Sequence, residues 1–173
     1  MRKFPETAMA AIDTPSAPSA PDLQLDRLAP SDNTFRARPA GAYASFSRVG
    51  DLLYSSGVVG REQGQVIAGA LQGEADVARG ERAAMASVAA ILRAAQAELG
   101  SLAPIDKVVT LTGYLHTAPS FTQHVRVMNA ASSLLQQVFP DSPLPARTTV
   151  GVASLPAAGA VEVSMVIQLR TLA

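Results

Sequence analysis

Arg147 stands at the head of an extended, β-branched run, Pro145-Ala146-Arg147-Thr148-Thr149-Val150-Gly151-Val152-Ala153-Ser154-Leu155-Pro156, which closes at a proline. A guanidinium is planar, permanently charged and shaped to grip a carboxylate through two parallel hydrogen bonds. A strand mounts such a group more rigidly than a loop. The chemistry on offer is therefore capture of a small carboxylate-bearing ligand. The plain alternative is a strand-end arginine in solvent, where ion pairs are worth little.

Three further side chains bear on such a site. Glu162 falls on the polar side of an alternating apolar run; if partly buried, its carboxylate could orient a water or shuttle a proton. Tyr43 opens the first strand-like segment directly after Gly41-Ala42, where its ring could cover a ligand or its hydroxyl donate to one. Asn129 interrupts an apolar helix, a position that favours a structural amide bridging the helix to the Arg147 strand. His116 and His124, the two histidines, have no patterned partner and read as surface or structural. Ser55-Ser56-Gly57 lacks the order of a nucleophile elbow. The glycines from 57 to 73 spell neither a phosphate loop nor a dinucleotide fingerprint.

The elements that must hold these residues follow from periodicity. Ala42–Val49 and Leu52–Ser56 alternate around Gly50-Asp51, a hairpin with a two-residue turn. Residues 57–73 read as a loop with a possible short strand near Gln65–Ala68. An alanine-rich helix is expected from Glu74 to Glu98, stopped by Gly100. A strand from Lys107 to His116 precedes a second helix from about Pro119 to Val138, with Ser120 as its cap. Arg147–Ala153 and Val161–Leu169 complete the strands. The order predicts an α+β domain, a mixed sheet with two helices packed on one face. Its other face needs cover, which a neighbouring subunit can supply.

Length and composition set the bounds. The 173 residues allow one domain, 36–173, preceded by an arm over about 1–35. Five prolines among alanines and serines make that arm a poor candidate for burial, so it is expected to be disordered or extended, with Leu23, Leu25 and Leu28 able to dock as a short turn. Fourteen basic residues balance fourteen acidic ones, which gives no electrostatic reason for strong binding to nucleic acid or an anionic membrane. With no cysteine and two histidines, a thiolate or multi-histidine metal centre is not expected. No apolar run reaches the length of a membrane span and no export signal is visible; a cytoplasmic setting fits.

These residues resemble the RidA/YjgF family, also called endoribonuclease L-PSP. Gly41-Ala42-Tyr43 with Val49-Gly50-Asp51-Leu52-Leu53-Tyr54-Ser55-Ser56-Gly57 is similar to its first hairpin. Ala146-Arg147, the valine-rich run, Leu155-Pro156 and Val161-Glu162-Val163 are similar to its C-terminal signature. The resemblance implies a chorismate-mutase-like fold assembled as a homotrimer, with sites in the clefts between subunits. It implies a deaminase of the 2-iminobutanoate/2-iminopropanoate type, a hydrolase that converts reactive enamines and imines to 2-oxo acids and ammonia without metal or cofactor. By the same resemblance Arg147 binds the substrate carboxylate, Glu162 positions water, and Tyr43, Asn129 and the backbone at Gly57 line the site. Thr149 stands there in place of a cysteine, Val58 in place of a glutamine and Ser164 in place of a second acidic residue. The competing functions are a non-catalytic module that binds or senses a small acid and, ranked last, a ribonuclease, for which no basic patch or stacking-aromatic motif is visible.

Overall fold

The computed structural model describes residues 17–31 and 41–170. In chain order they form α1 (Ala20–Leu28), β1 (Phe46–Val49), β2 (Leu52–Ser55), β3 (Val58–Val59), β4 (Arg61–Glu62), β5 (Gln65–Val66), α2 (Val77–Leu99), β6 (Ile105–His116), α3 (His124–Val138), β7 (Ala146–Val152) and β8 (Val161–Leu169). The expected α+β architecture is present. One mixed sheet runs in the order β1-β2-β8-β6-β7, with β3 continuing along β8 beyond β2, and β4–β5 form a separate ribbon. β6 and β7 are parallel, joined through α3; the other pairs in the sheet are antiparallel.

β8 shows why the helices lie on one side. Val161, Val163, Met165, Ile167 and Leu169 are buried, whereas Glu162, Ser164, Val166 and Gln168 between them are half-exposed. The buried set meets Leu111 and Leu115 of β6, apolar residues of α2 such as Val88, Ile91 and Leu92, and Met128, Leu134 and Leu135 of α3 in one continuous core. Alternation with period two thus decides which side chains enter the core. The opposite face of the sheet is bare, and Val49, Tyr54 and Val150 are exposed.

α2 starts after a single 3-10 turn, Glu74–Asp76, and ends at Gly100, whose left-handed conformation (φ +79°) stops it as expected. α3 starts later than expected. Ser120 does not cap it; the cap position is Gln123, with no side-chain bond to the helix. The Phe121 amide instead donates to the Ala118 carbonyl, so the chain turns while Phe121 enters the core at 4% exposure.

The expectation of a disordered or extended arm is corrected over its centre. Residues 20–28 form α1, docked against α2 and α3. Ser19 and Asp22 close a reciprocal capping box, and Leu25 is fully buried. Asp22 also accepts from the Ser101 hydroxyl (2.7 Å), the Leu102 amide (2.9 Å) and the Gln96 amide (3.0 Å), and Arg93 donates to Asp26 (2.5 Å) and to the Ala29 carbonyl (2.9 Å). The entropy that composition counts against this segment is offset by bonds to residues some eighty positions away. The rest of the expected arm, 1–16 and 32–35, lies outside the described residues. No helix among the described residues is long and apolar enough to cross a membrane.

Candidate functional site

Arg147 is the second residue of β7, an edge strand, and pairs with Leu111 of β6. Leu111 is buried beneath the helices, so Arg147 shares that side of the sheet. Its guanidinium meets α3: Nη1 donates to Ser132 Oγ at 2.8 Å and Nη2 to Asn129 Oδ1 at 3.0 Å. Asn129 and Ser132 are three apart on the helix, hence on one face. Both acceptors are neutral, and no carboxylate among the described residues pairs with Arg147. The arginine is therefore held in place with its charge unspent. Asn129 plays the bridging role expected of it. Thr149, two residues along β7 and paired with buried Gly113, faces the same way.

Glu162 belongs to a second group. It pairs with Tyr114 of β6 and Val59 of β3, and its side chain leaves β8 toward the bare face. Between β2 and β3 the ladder is interrupted: the Met165 amide donates to the Ser55 hydroxyl at 2.8 Å instead of to backbone. Gly57 lies in that interruption against the glutamate. A Cβ on Gly57 would fall 1.9 Å from Glu162 Oε1, so only glycine lets the carboxylate occupy this place. Burial raises the Glu162 carboxyl above its ordinary 4.5, with no hydrogen bond to lower it again. Tyr43, half-exposed just before β1, is tied to the same neighbourhood. The Ser56 hydroxyl donates to the Ala44 carbonyl at 2.7 Å, and the Ser56 amide to the Ser45 carbonyl at 2.9 Å.

The candidate residues thus fall into two groups. Arg147, Asn129, Ser132 and Thr149 lie on the helix side of the sheet at its β7 edge. Glu162, Gly57 and the Tyr43 segment lie on the bare side. The sheet itself separates them, so a ligand touching both must meet residues from two chains.

The endoribonuclease L-PSP family model matches residues 34–168. The chain belongs to the RidA/YjgF (endoribonuclease L-PSP) family. Protein TCP17 of Trypanosoma cruzi is 36% identical over 136 residues, 78% of this chain and 85% of that protein. The crystal structure of Atu1372, a protein of unknown function from Agrobacterium tumefaciens, superposes with a TM-score of 0.76 at 31% identity, covering 88% of this chain and 94% of that one. RidA from an Antarctic Psychrobacter shares the fold at 24% identity, with a TM-score of 0.54 over 79% and 95% of the two chains. Membership in the RidA/YjgF family supports a hydrolase-type enzymatic role for this fold.

Ser132 carries no motif and is found only because it sits one helical turn from Asn129. His124 reads from the sequence as surface or structural. The structure places His124 Nε2 and Thr117 Oγ1 together over Gly151, on the same strand as Arg147.

Proposed function

We propose that this RidA/YjgF protein is an enamine/imine deaminase that works at the contact between two copies of the chain. The observation that carries the reading is the Arg147 guanidinium, oriented by Ser132 and Asn129 and left without an anionic partner among the described residues. Such a group binds the carboxylate of a 2-imino acid in a bidentate manner. A homotrimer supplies the remainder: the bare face of one sheet, carrying Glu162, Gly57 and the Tyr43 segment, meets the β7–α3 edge of a neighbour carrying Arg147 and Thr149. This arrangement also covers exposed Tyr54 and Val150.

An iminium carbon is already electrophilic, so orientation and proton transfer suffice. If the substrate arrives as an enamine, its terminal carbon first takes a proton from the Glu162 carboxyl, which leaves the iminium and a carboxylate. Glu162 then accepts a proton from water as the water oxygen bonds to the C=N carbon and the π pair moves to nitrogen. The glutamic acid returns that proton to nitrogen. The C–N bond breaks as the oxygen loses its proton to the Glu162 carboxylate and becomes the carbonyl, and ammonia and a 2-oxo acid leave. Burial raises the Glu162 carboxyl, which makes its carboxylate a stronger base toward the attacking water.

Arg147→Ala is expected to lower ammonia release from imino acids at least about tenfold, since a charge-assisted bond is worth ~1.5–3 kcal/mol. Unchanged turnover in the variant would sink the assignment. The separation of the two groups favours a second reading if the chain acts alone: a module that binds small carboxylates at Arg147 without turning them over. Binding of 2-oxo acids with no ammonia released from any imine in a panel would decide for it.

A further inference from the structure

β7 carries more than Arg147 and Thr149 on its helix side. Gly151, the next residue of that parity, pairs with buried Leu115 of β6. Its backbone is not in the left-handed region, so its lack of a side chain serves space and not conformation. A Cβ there would lie 2.6 Å from Thr117 Oγ1 and 2.8 Å from His124 Nε2. Two polar atoms from different elements, the end of β6 and the start of α3, thus converge on one bare stretch of strand. Neither side chain has a hydrogen-bonding partner among the described residues. The His124 ring is steadied edge-on by Phe121, with ring centroids 5.3 Å apart. Around them opens a groove of about 490 Å³, whose walls include Pro119, Phe121, Val152 and Ala153 and no acidic residue.

The groove and the proposed carboxylate anchor share one strand, the anchor near its start and the groove at its end. Arg147 and Gly151 are four residues apart on one strand, about 13 Å. The His124 and Asn129 positions are separated by roughly 7.5 Å of helix. That is room for a short carbon chain with a polar group at each end. An imidazole and a threonine hydroxyl can both donate to the same acceptor, and with no acidic residue among the described walls of the groove that acceptor is free to be anionic.

We propose that Thr117 and His124, converging over Gly151, form a distal subsite that holds the second carboxylate of a dicarboxylic 2-imino or 2-oxo acid whose first carboxylate sits on Arg147. This rests on the reading of Arg147 as a carboxylate anchor. It makes the protein selective for diacids over the short monocarboxylic imino acids that Arg147 alone would accept. Apolar Pro119 and Phe121 wall the distal end, and Gly151 supplies the clearance.

The test is calorimetric titration of the full chain with 2-oxoglutarate and with 2-oxopentanoate, which has the same carbon count and lacks the distal carboxylate. 2-Oxoglutarate is expected to bind at least about tenfold more tightly, the value of one charge-assisted bond. In Thr117→Val/His124→Phe the preference falls below about twofold, and Gly151→Ala, whose methyl fills the same space, has the same effect. In the unmodified protein the His124 imidazole resonances shift with 2-oxoglutarate and not with 2-oxopentanoate, a readout that depends on no variant folding. Equal binding of the two acids, unmoved His124 resonances, or a preference that survives the substitutions overturns the subsite while Arg147 keeps its role. Failure of both acids to bind overturns the Arg147 reading and the subsite with it.

Discussion

Glu162 and Arg147 illustrate two ways of keeping a charged side chain ready. Arg147 keeps its charge because its partners are neutral; Glu162 is pressed toward the protonated form because β3, Gly57 and the sheet remove water from it. A carboxyl whose folded value is raised adds stability below its unfolded value of about 4.5, and that contribution is lost as pH rises through the raised value. Above that raised value the ionised glutamate is therefore a local liability. Glu162→Gln is expected to melt at the same or a higher temperature at pH 7, while deaminase turnover falls by roughly 10²–10⁴. Paired thermal melts and rate measurements check this; a variant that loses stability without losing rate would remove Glu162 from the chemistry. Arg147 and Asn129 were legible in the chain because each interrupts an apolar run, and Glu162 because it carries charge on the polar side of an alternating one. Ser132 and Thr117 were not, because a serine in a helix or a threonine after a strand breaks none.

Two elements depend on positions far away in the chain. α1 is held by Asp22, where burial works to raise the carboxyl but hydrogen bonds from Ser19, Ser101 and the amides of Leu102 and Ser19 together outweigh it and hold it below its ordinary 3.8. A carboxylate depressed in the folded state stabilises above its unfolded value and loses that contribution as pH falls through the depressed one. Hydrogen exchange in α1 is accordingly expected to accelerate below about pH 4 ahead of the sheet, and Asp22→Asn to remove that pH dependence. Exchange rates in α1 that follow the sheet at every pH would show that Asp22 does not control its docking. The connection from β7 to β8 carries a different load. Ala157 and Ala158 both adopt left-handed conformations, at φ of 52° and 55°. Each conformation costs an alanine about 1–2 kcal/mol. Ala157→Gly is expected to stabilise the protein by about 1 kcal/mol in chemical denaturation, and a loss of stability would refute the strain.

At the scale of the whole molecule the sheet acts as a partition. Arg147 faces the helices and Glu162 the bare side, so the proposed reaction requires one chain's edge to meet another chain's face. Mixing inactive Arg147→Ala with inactive Glu162→Gln, through unfolding and reassembly, is expected to restore about a quarter of the wild-type activity, the share of randomly formed interfaces that bring an intact arginine to an intact glutamate. A site contained within one chain would recover nothing. Mass measurement of the assembly states independently whether three chains are present.

The amino-acid sequence by itself determined the strands and helices of the sheet layer, the face of β8 that enters the core, and the residue types able to bind a carboxylate and move a proton. These are local properties, set by period-two and helical alternation, turn chemistry and side-chain charge. Tertiary structure alone decided that Arg147 and Glu162 fall on opposite sides of the sheet, that a proline-bearing segment docks as α1, and that Thr117 and His124 meet over Gly151. Each of those depends on strand pairing or on contacts between residues distant in the chain, and such pairings leave no trace in local composition or spacing.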